Sequence, residues 1–429
     1  MNRSRRAENP HPARNRGAAL LVMLLAVALA FSVVLVSSLA GSNPEIERQR
    51  RTVEALAQAK QALIAWALMQ GDENPATKKG DDGPEPTYYR PGSLPCPDRN
   101  YFGQASSGNA SGSCSGKGGT SIGRLPWKSL GMDRLRDGHG ESLWYAVSDN
   151  FRHHGLNKAA INSDSRGSLL LYANDGVTLL TPAGEELAAV VFAPGPPLPG
   201  QDRAAQPDAA VSYLEAFDGK NNAGATGPFI MGPARDARGD LVVNDLVVGI
   251  SARELIAALE RRALIEAQAA LRNHVAEKGQ LPNPAPPDGS NCASSVTSVE
   301  SLARCASDVV TPICSGRLPE DMLSEDLSSP VARWFTQNGW GRVMIYAIHD
   351  TAAGCTETLN LDGLPMSYVL IAPGTARGGQ TRPSTSLADY LEDADKDVCK
   401  DTNTDAWSGN LDFSVSCTAT GNDQLRAEE

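Results

Sequence analysis

The chain has 429 residues, a formal net charge of −11 and a hydrophobic content of 41%. This length allows two or three domains, and the composition, with 40 Gly and 28 Pro, is that of a globular protein with many loops. The excess of negative charge argues against a nucleic-acid partner.

An uncharged apolar segment, residues 18–40, dominates the N-terminal region. A helix of this length spans the hydrocarbon core of a bilayer. The preceding residues 1–17 carry several arginines against the one acidic residue Glu8, which places them in the cytoplasm and the bulk of the chain outside. The small residues at 37–40 leave a cleaved secretory signal peptide as the alternative.

The apolar segment is predicted to continue as one helix over residues 18–71. Asn43 followed by Pro44 is typical of a helix start, and apolar residues recur at helical spacing between 56 and 66.

The rest of the sequence contains an internal repeat. Similar segments follow one another in the same order, namely GSLPCPD and GQLPNPAPPDG, DGHGESLWYAV and NGWGRVMIYAI, VVFAPGPPLPGQ and YVLIAPGTARGGQ, and SYLEAFDGKNN and DYLEDADKD. We therefore predict two copies of one module, residues 72–240 and residues 241–429. A capping box at Ser251 and Glu254 opens the second copy with a helix over 252–278.

Short apolar runs predict a small, antiparallel sheet in each module. The predicted strands are 143–147, 189–192, 343–348 and 367–371, with a hairpin of 168–172 and 177–180 around Asn174-Asp175-Gly176. The predicted fold class is α+β, with a long N-terminal transmembrane helix followed by two helix-plus-antiparallel-sheet modules.

Eight cysteines without a CxxC pair are typical of structural disulfides in an oxidising compartment. Cys96 and Cys114 enclose a Gly/Ser-rich loop that a disulfide between them would define. Cys399 and Cys417 would close an acidic loop. The repeat aligns Cys314 with Cys114 and puts Cys292 near the position of Cys96, which leaves Cys305 and Cys355 to pair with each other or stay free.

An acidic run near the C-terminus contains the alternating residues Asp393, Asp395 and Asp397. Calcium prefers oxygen ligands from flexible loops, so these residues are candidate calcium ligands. The EF-hand pattern is incomplete, and a solvated acidic loop without metal is the alternative. The first module has a weaker set of the same kind, namely Glu215, Asp218, Asn221 and Asn222.

No catalytic arrangement is evident. The segment SGKGGT at 115–120 lacks the Ser or Thr that follows Lys in a phosphate-binding loop, and neither HExxH nor GxSxG occurs. The sequence therefore predicts a protein that is not an enzyme.

A family resemblance rests on Arg16-Gly17-Ala18, which resembles the leader of type IV prepilins. The modules resemble the globular domains of type II secretion pseudopilins, through the strand NGWGRVMIYAI and the turn YVLIAPGTARGGQ, and DYLEDADKDVC sits where their acidic calcium loop would be. The resemblance implies cleavage between Gly17 and Ala18 and pilin-like modules. Pilins usually have Glu where this chain has Val22, which implies a tip or initiating minor subunit. The filament and anchor helix would begin with Ala18, Ala19, Leu20, Leu21 and Val22.

The resemblance also implies partners and a location. The partners would be the prepilin peptidase, other pilin-like subunits, the inner membrane and secretion machinery or cargo. The chain would cross the bacterial inner membrane once, with its N-terminus in the cytoplasm and its bulk in the periplasm. The alternative hypothesis is an uncleaved single-pass envelope protein whose periplasmic modules bind a ligand or act in adhesion; an envelope hydrolase is disfavoured.

Overall fold

The computed structural model describes residues 44–70, 90–111, 114, 121–153, 160–286, 313–319, 334–377, 380–385, 389–391, 412–413 and 424–428. The helices include α1 (Pro44–Met69), α2 (Ala252–Lys278) and α3 (Trp340–Val343), residues 334–337 are also helical, and single 3₁₀ turns lie at Asp149–Phe151 and Ala210–Ser212. The strands are β1 (Ser121–Arg124), β2 (Trp144–Val147), β3 (Leu171–Tyr172), β4 (Leu187–Ala193), β5 (Ala216–Phe217), β6 (Lys220–Asn221), β7 (Phe229–Ile230), β8 (Ala234–Arg235), β9 (Leu241–Val243), β10 (Leu246–Ser251), β11 (Ser315–Arg317), β12 (Ile345–Ile348), β13 (Leu359–Leu361), β14 (Leu364–Met366), β15 (Tyr368–Ala372), β16 (Asp412–Phe413) and β17 (Gln424–Glu428).

Contacts divide the chain into two units, residues 1–51 and residues 52–429. In the first unit the described residues form the start of α1, where Glu47 makes ion pairs with Arg50 and Arg51 on the helix surface. All further description concerns the second unit. We call its residues 52–251 the first module and its residues 252–428 the second module.

Both modules contain a four-stranded antiparallel sheet with the same strand order. In the first sheet the order is β1-β2-β4-β10, and in the second it is β11-β12-β15-β17. The hydrogen bond from the Ser148 N–H to the Ala188 carbonyl has its counterpart between His349 and Ser367, at 2.8 Å in both. The repeat seen in the sequence is thus also a repeat of sheet topology. The first sheet takes its last strand, β10, from residues that the sequence analysis assigned to the second module.

A partly buried arginine repeats in the same place after β4 and β15. Arg203 donates to the Gly195 carbonyl at 2.8 Å, and Arg382 donates to the Gly374 carbonyl at 2.7 Å. Each guanidinium lies about 5 Å from the ring centroid of a tyrosine in its own module. These contacts fasten the Pro-Gly turn of each module to the Tyr-Leu segment that follows, which explains why both segments recur in the sequence.

Helix α2 begins and ends as its sequence predicts. The Ser251 hydroxyl accepts a hydrogen bond from the Glu254 N–H at 3.0 Å, and Gly279 ends the helix in the left-handed conformation. Its apolar face is buried against both sheets, and one hydrophobic cluster includes Leu259 of α2 together with Tyr145 and Tyr346 from the two sheets. Full burial of each such side chain contributes about 1.5–3 kcal/mol to folding, so α2 joins the modules into one core.

A second junction involves residues 160–165 of the first module. The Ile161 N–H donates to the Asn338 side-chain oxygen at 2.9 Å, and the Asn162 amide donates to the Asn338 carbonyl at 2.7 Å. The buried Glu260 carboxyl of α2 accepts a hydrogen bond from the Ser163 hydroxyl at 2.6 Å. Polar contacts thus join the two modules in addition to the shared hydrophobic core.

Smaller sheets surround the first sheet and extend the second module. Strands β3 and β7 are parallel, β5–β6 and β8–β9 are antiparallel pairs, and β13 pairs with β14 and, in parallel, with β16. The segments of the predicted hairpin lie next to each other, with the Ala173 N–H bonded to the Thr178 carbonyl and the Leu180 N–H bonded to the Leu171 carbonyl, both at 2.8 Å.

The predicted fold class needs correction in its membrane component. Residues 18–40, which were to form the span, and the leader residues 1–17 lie outside the described residues. Where the structure does describe the chain, we find no helix with both the length and the apolar character to cross a bilayer; α1 carries charged side chains throughout its first two turns. The predicted transmembrane helix and the predicted single-pass inner-membrane location are therefore contradicted. The fold is a mixed α/β one with several small sheets.

Candidate functional site

A cleft of about 430 Å³ opens in the second module between the end of α2 and the neighbouring ends of β12 and β15. Leu271 and Val275 of α2 form one wall, and Leu281 follows from the loop after the helix. Leu271 and Leu281 are buried, whereas Val275 is 39% exposed at the mouth of the cleft. The volume lies in the range of small-molecule sites, and this wall can contact an apolar group.

Three polar side chains that line the cleft form a connected group. One Glu428 carboxylate oxygen accepts hydrogen bonds from the Tyr368 hydroxyl at 2.6 Å and from the Arg272 Nε–H at 2.9 Å. The Tyr368 hydrogen bond, followed by the one from Arg272, lowers the pKa of Glu428. Burial raises the pKa of Tyr368, and its hydrogen bond to Glu428 raises it further. Glu428 is therefore an ionised acceptor whose charge is balanced by Arg272.

A second carboxylate, Asp350, also lines the cleft. It accepts hydrogen bonds from the backbone N–H groups of Leu281 at 2.6 Å and Ala352 at 2.8 Å. No arginine or lysine pairs with Asp350 among the described residues. Helix α2 also directs its C-terminal end, which carries partial negative charge, towards this region at Gly279. The part of the cleft near Asp350 and Gly279 is therefore electronegative.

His349 adds a hydrogen-bond acceptor to the cleft. Its Nδ1 lies 2.7 Å from the Glu357 carbonyl oxygen, which can only accept, so Nδ1 carries the proton. In the neutral ring Nε2 is then an acceptor, and within the described part of the chain it has no hydrogen-bond partner. Together with Asp350, this ring favours a ligand that brings hydrogen-bond donors.

The first module has no comparable polar group at the same position. Pairing of β4 with β10 places Ala189 opposite Ile250, where pairing of β15 with β17 places Tyr368 opposite Glu428. The cleft is thus a property of the second copy alone. It lay outside the sequence predictions because its residues come from four separate segments, none with a recognisable motif.

The cysteines that the structure describes form two disulfides. Cys96 and Cys114, the pair that encloses the Gly/Ser-rich loop, are bonded with their Cα atoms 5.6 Å apart. Cys314 is bonded to Cys355. Cys314 is therefore not bonded to Cys292, as the repeat implied, and Cys355 neither pairs with Cys305 nor stays free, because a disulfide links the start of β11 to the turn after β12. The remaining cysteines lie outside the described residues, namely Cys292, Cys305, Cys399 and Cys417.

The predicted calcium ligands Asp393, Asp395 and Asp397 also lie outside the described residues, as do Gly17, Ala18, Ala19, Leu20, Leu21 and Val22. Calcium binding there stays a prediction. Within the described ranges no group of three or more His, Cys, Asp or Glu side chains is arranged to hold a metal ion.

The weaker acidic set of the first module is only partly brought together. Glu215 and Asn222 approach the buried Asp245, which accepts from the Glu215 N–H at 3.1 Å and from the Asn222 amide at 2.8 Å. Asp218 instead pairs with Lys220 at 2.9 Å on the surface. Burial raises the pKa of both Glu215 and Asp245, and the mutual repulsion of the two carboxyls raises that of Asp245 further. Asp245 was missed because it lies with Asn244 in the short link between β9 and β10, more than 20 residues from the set at 215–222.

Comparison with family models, with curated proteins and with solved structures gives no match for this chain. The predicted membership of the type IV pilin and pseudopilin class is therefore contradicted. The predicted role as a tip subunit depended on that membership and loses its support. The prepilin peptidase and other pilin-like subunits, which only that resemblance supplied, remain untested as partners.

Proposed function

We propose that this protein is a non-catalytic binding protein whose second module holds the cationic, amphipathic end of a ligand in its cleft. The observation that carries the proposal is the electronegative part of the cleft, formed by Asp350 and the C-terminus of α2 beside an apolar wall.

The charge arrangement supports a ligand with a positive group. Glu428 is balanced by Arg272, whereas the Asp350 carboxylate accepts hydrogen bonds from backbone N–H groups and has no ion pair among the described residues. An ammonium or guanidinium group would pair with that carboxylate and with the helix end, and it could donate to His349. The aliphatic stem of such a side chain would lie along Leu271 and Val275. A lysine or arginine side chain of a peptide has this chemistry.

The disulfides support a role outside reducing compartments. Cys96–Cys114 and Cys314–Cys355 each fix one module, which is typical of proteins that function where thiols are oxidised.

Isothermal titration calorimetry on the full chain tests the proposal with three capped tripeptides, acetyl-Leu-Arg-Leu-amide and its Gln and Glu counterparts. We expect the Arg peptide to bind with a Kd between micromolar and millimolar, and about tenfold or more tightly than the Gln peptide. A hydrogen bond to a charged group contributes roughly 1.5–3 kcal/mol, which accounts for that ratio.

A cleft-filling variant locates the binding. Val275→Trp places a large side chain at the mouth of the cleft, and we expect it to abolish binding of the Arg peptide. Ile265→Trp is the matched control, because Ile265 is 50% exposed on the same helix and does not line the cleft. Equal binding of the three peptides, or equal loss in both variants, would refute the proposal.

A further inference from the structure

A loop of the first module, residues 97–111, is ordered by its own polar contacts. It begins at the disulfide Cys96–Cys114. Asp98 accepts hydrogen bonds from the N–H groups of Asn100 at 2.9 Å and Gly108 at 2.7 Å, and the Asn100 amide donates to the carbonyl of Asn109 at 3.1 Å. A loop fixed in this way loses little conformational entropy when it binds a partner.

This ordered loop presents two neighbouring aromatic side chains to solvent. Tyr101 is 70% exposed and Phe102 is 44% exposed. The Phe102 N–H is itself held by the Asp208 carboxylate at 2.7 Å. Aromatic side chains on a rigid support are the residues that most often dominate the free energy of protein association.

Basic side chains surround the aromatic pair. The Arg134 guanidinium stacks 4.7 Å from the Phe102 ring centroid, and the Lys128 ammonium donates to the Ala105 carbonyl of the loop at 2.8 Å. Burial lowers the pKa of Arg134, and the nearby positive charges of Arg136 and Arg124 lower it further. These cations therefore lie close enough to repel one another.

Two carboxylates of this region are engaged elsewhere, whereas the exposed Asp133 lies next to Arg134 in the chain. Asp208 pairs with the buried Arg124 at 2.9 Å, and Glu141 pairs with Arg203 at 3.0 Å. Arg134, Arg136 and Lys128 have no ion pair within the described ranges. The surface thus has an excess of positive charge on a chain whose net charge is −11.

We propose that Tyr101, Phe102, Lys128, Arg134 and Arg136, here called the basic–aromatic patch, form a docking surface for an acidic, extended segment of another protein. Carboxylates of that segment pair with the three cations, and its apolar side chains cover the two exposed rings. The surface belongs to the first module and is independent of the cleft in the second.

A protein segment fits this surface better than other polyanions. The chain as a whole is strongly acidic, so a long nucleic acid that extends beyond the patch would meet repulsion. A short acidic segment stays within the patch, and salt screens its attraction over about 10 Å at moderate ionic strength.

Fluorescence anisotropy tests the proposal with a fluorescein-labelled peptide, Leu-Glu-Phe-Asp-Glu-Leu-Asp, titrated with the full chain under non-reducing conditions. We expect saturable binding that weakens as salt is raised, and no binding of the same peptide with lysine at each acidic position. The variants Arg136→Glu and Tyr101→Ala should each weaken binding about tenfold or more.

The matched control is Arg235→Glu. Arg235 donates to the Gly239 carbonyl four residues on at 2.8 Å, just as Arg136 donates to the Gly140 carbonyl at 2.5 Å, and both side chains are exposed. Arg235→Glu should change the Kd by less than about twofold. Circular dichroism spectra identical to the parent show that each variant is folded. Absence of saturable binding, or equal weakening by Arg235→Glu, would overturn the proposal. So would tighter, patch-dependent binding of single-stranded oligo-dT or of phosphatidylglycerol vesicles.

Discussion

Glu260 lies in the middle of α2 with its side chain fully buried at the junction of the two modules. One carboxyl oxygen accepts from the Ser163 hydroxyl at 2.6 Å, and the other accepts from the Gln424 amide at 3.1 Å. Burial raises the pKa of Glu260 from 4.5 to about 7, although hydrogen bonds from Ser163 and the Gly374 backbone and the charge of Arg382 oppose the rise. The folded protein therefore keeps this carboxyl protonated in a pH range where the unfolded chain has lost the proton.

The sign of the pH dependence follows from the two pKa values. Between pH 4.5 and about 7 the folded state binds more protons at Glu260 than the unfolded state does, so stability falls as the pH rises through this window. The contribution is fully present below pH 4.5 and is lost above about 7. At about 1.4 kcal/mol per pKa unit, the loss amounts to about 3 kcal/mol.

Glu260→Gln removes the titration and keeps the shape of the neutral side chain. We expect the difference in free energy of unfolding between the variant and the parent to move by about 3 kcal/mol in favour of the variant from pH 4.5 to pH 8. Urea denaturation followed by circular dichroism at five pH values measures this difference, in which the contributions of all other groups cancel. Glu277→Gln, at an exposed site on the same helix, serves as the control and should give a flat difference. A Glu260→Gln difference that stays constant within about 1 kcal/mol would refute the reasoning.

Three further predictions concern the second module. Gly316→Ala should destabilise the protein by about 2 kcal/mol or more, seen as a lower Tm, because its Cβ would lie 2.3 Å from a backbone carbonyl oxygen. Replacing Cys314 and Cys355 with Ala should cost about 4 kcal/mol on the chain-entropy argument for a separation of 41 residues, measured by urea denaturation, and a non-reduced digest of the parent should contain the joined peptides. Glu428→Gln should lower the pKa of Tyr368, seen by ultraviolet titration, because the negative charge that opposes phenolate formation is gone.

Local and repeated patterns made part of this fold predictable. The start of α2 follows from two side chains three residues apart, Ser251 and Glu254, whose contact needs no distant partner. The two central strands of each sheet, β2 and β4 in the first and β12 and β15 in the second, were predicted from apolar segments that recur in the same sequence order. Periodicity identifies such elements because it reports which face of each one is buried.

Distant contacts account for what the sequence did not reveal. The partners of Glu260 are 97 and 164 residues away along the chain, so nothing local distinguishes this glutamate from the exposed ones on α2. The pairing of Cys314 with Cys355 likewise depends on where β11 meets the turn after β12. The membrane assignment has a different basis, since it rested on the length of one uncharged apolar segment, residues 18–40, which lies outside the described residues.

Duplication explains how one chain can carry two different binding surfaces. The repeated parts are those that the fold requires, such as Arg203 and Arg382 at their Pro-Gly turns. Residues outside this repeated set could change independently in the two copies. At one of them the first copy has Ala189 opposite Ile250, which leaves no polar group, and the second copy places Glu428 in its cleft. The basic–aromatic patch is a feature of the first copy, because it depends on the loop that the disulfide Cys96–Cys114 closes. In the second copy Cys314, which the repeat aligns with Cys114, is bonded to Cys355 instead. A shared core with α2 between the copies would then hold an acidic protein segment and a cationic group at fixed positions on one molecule.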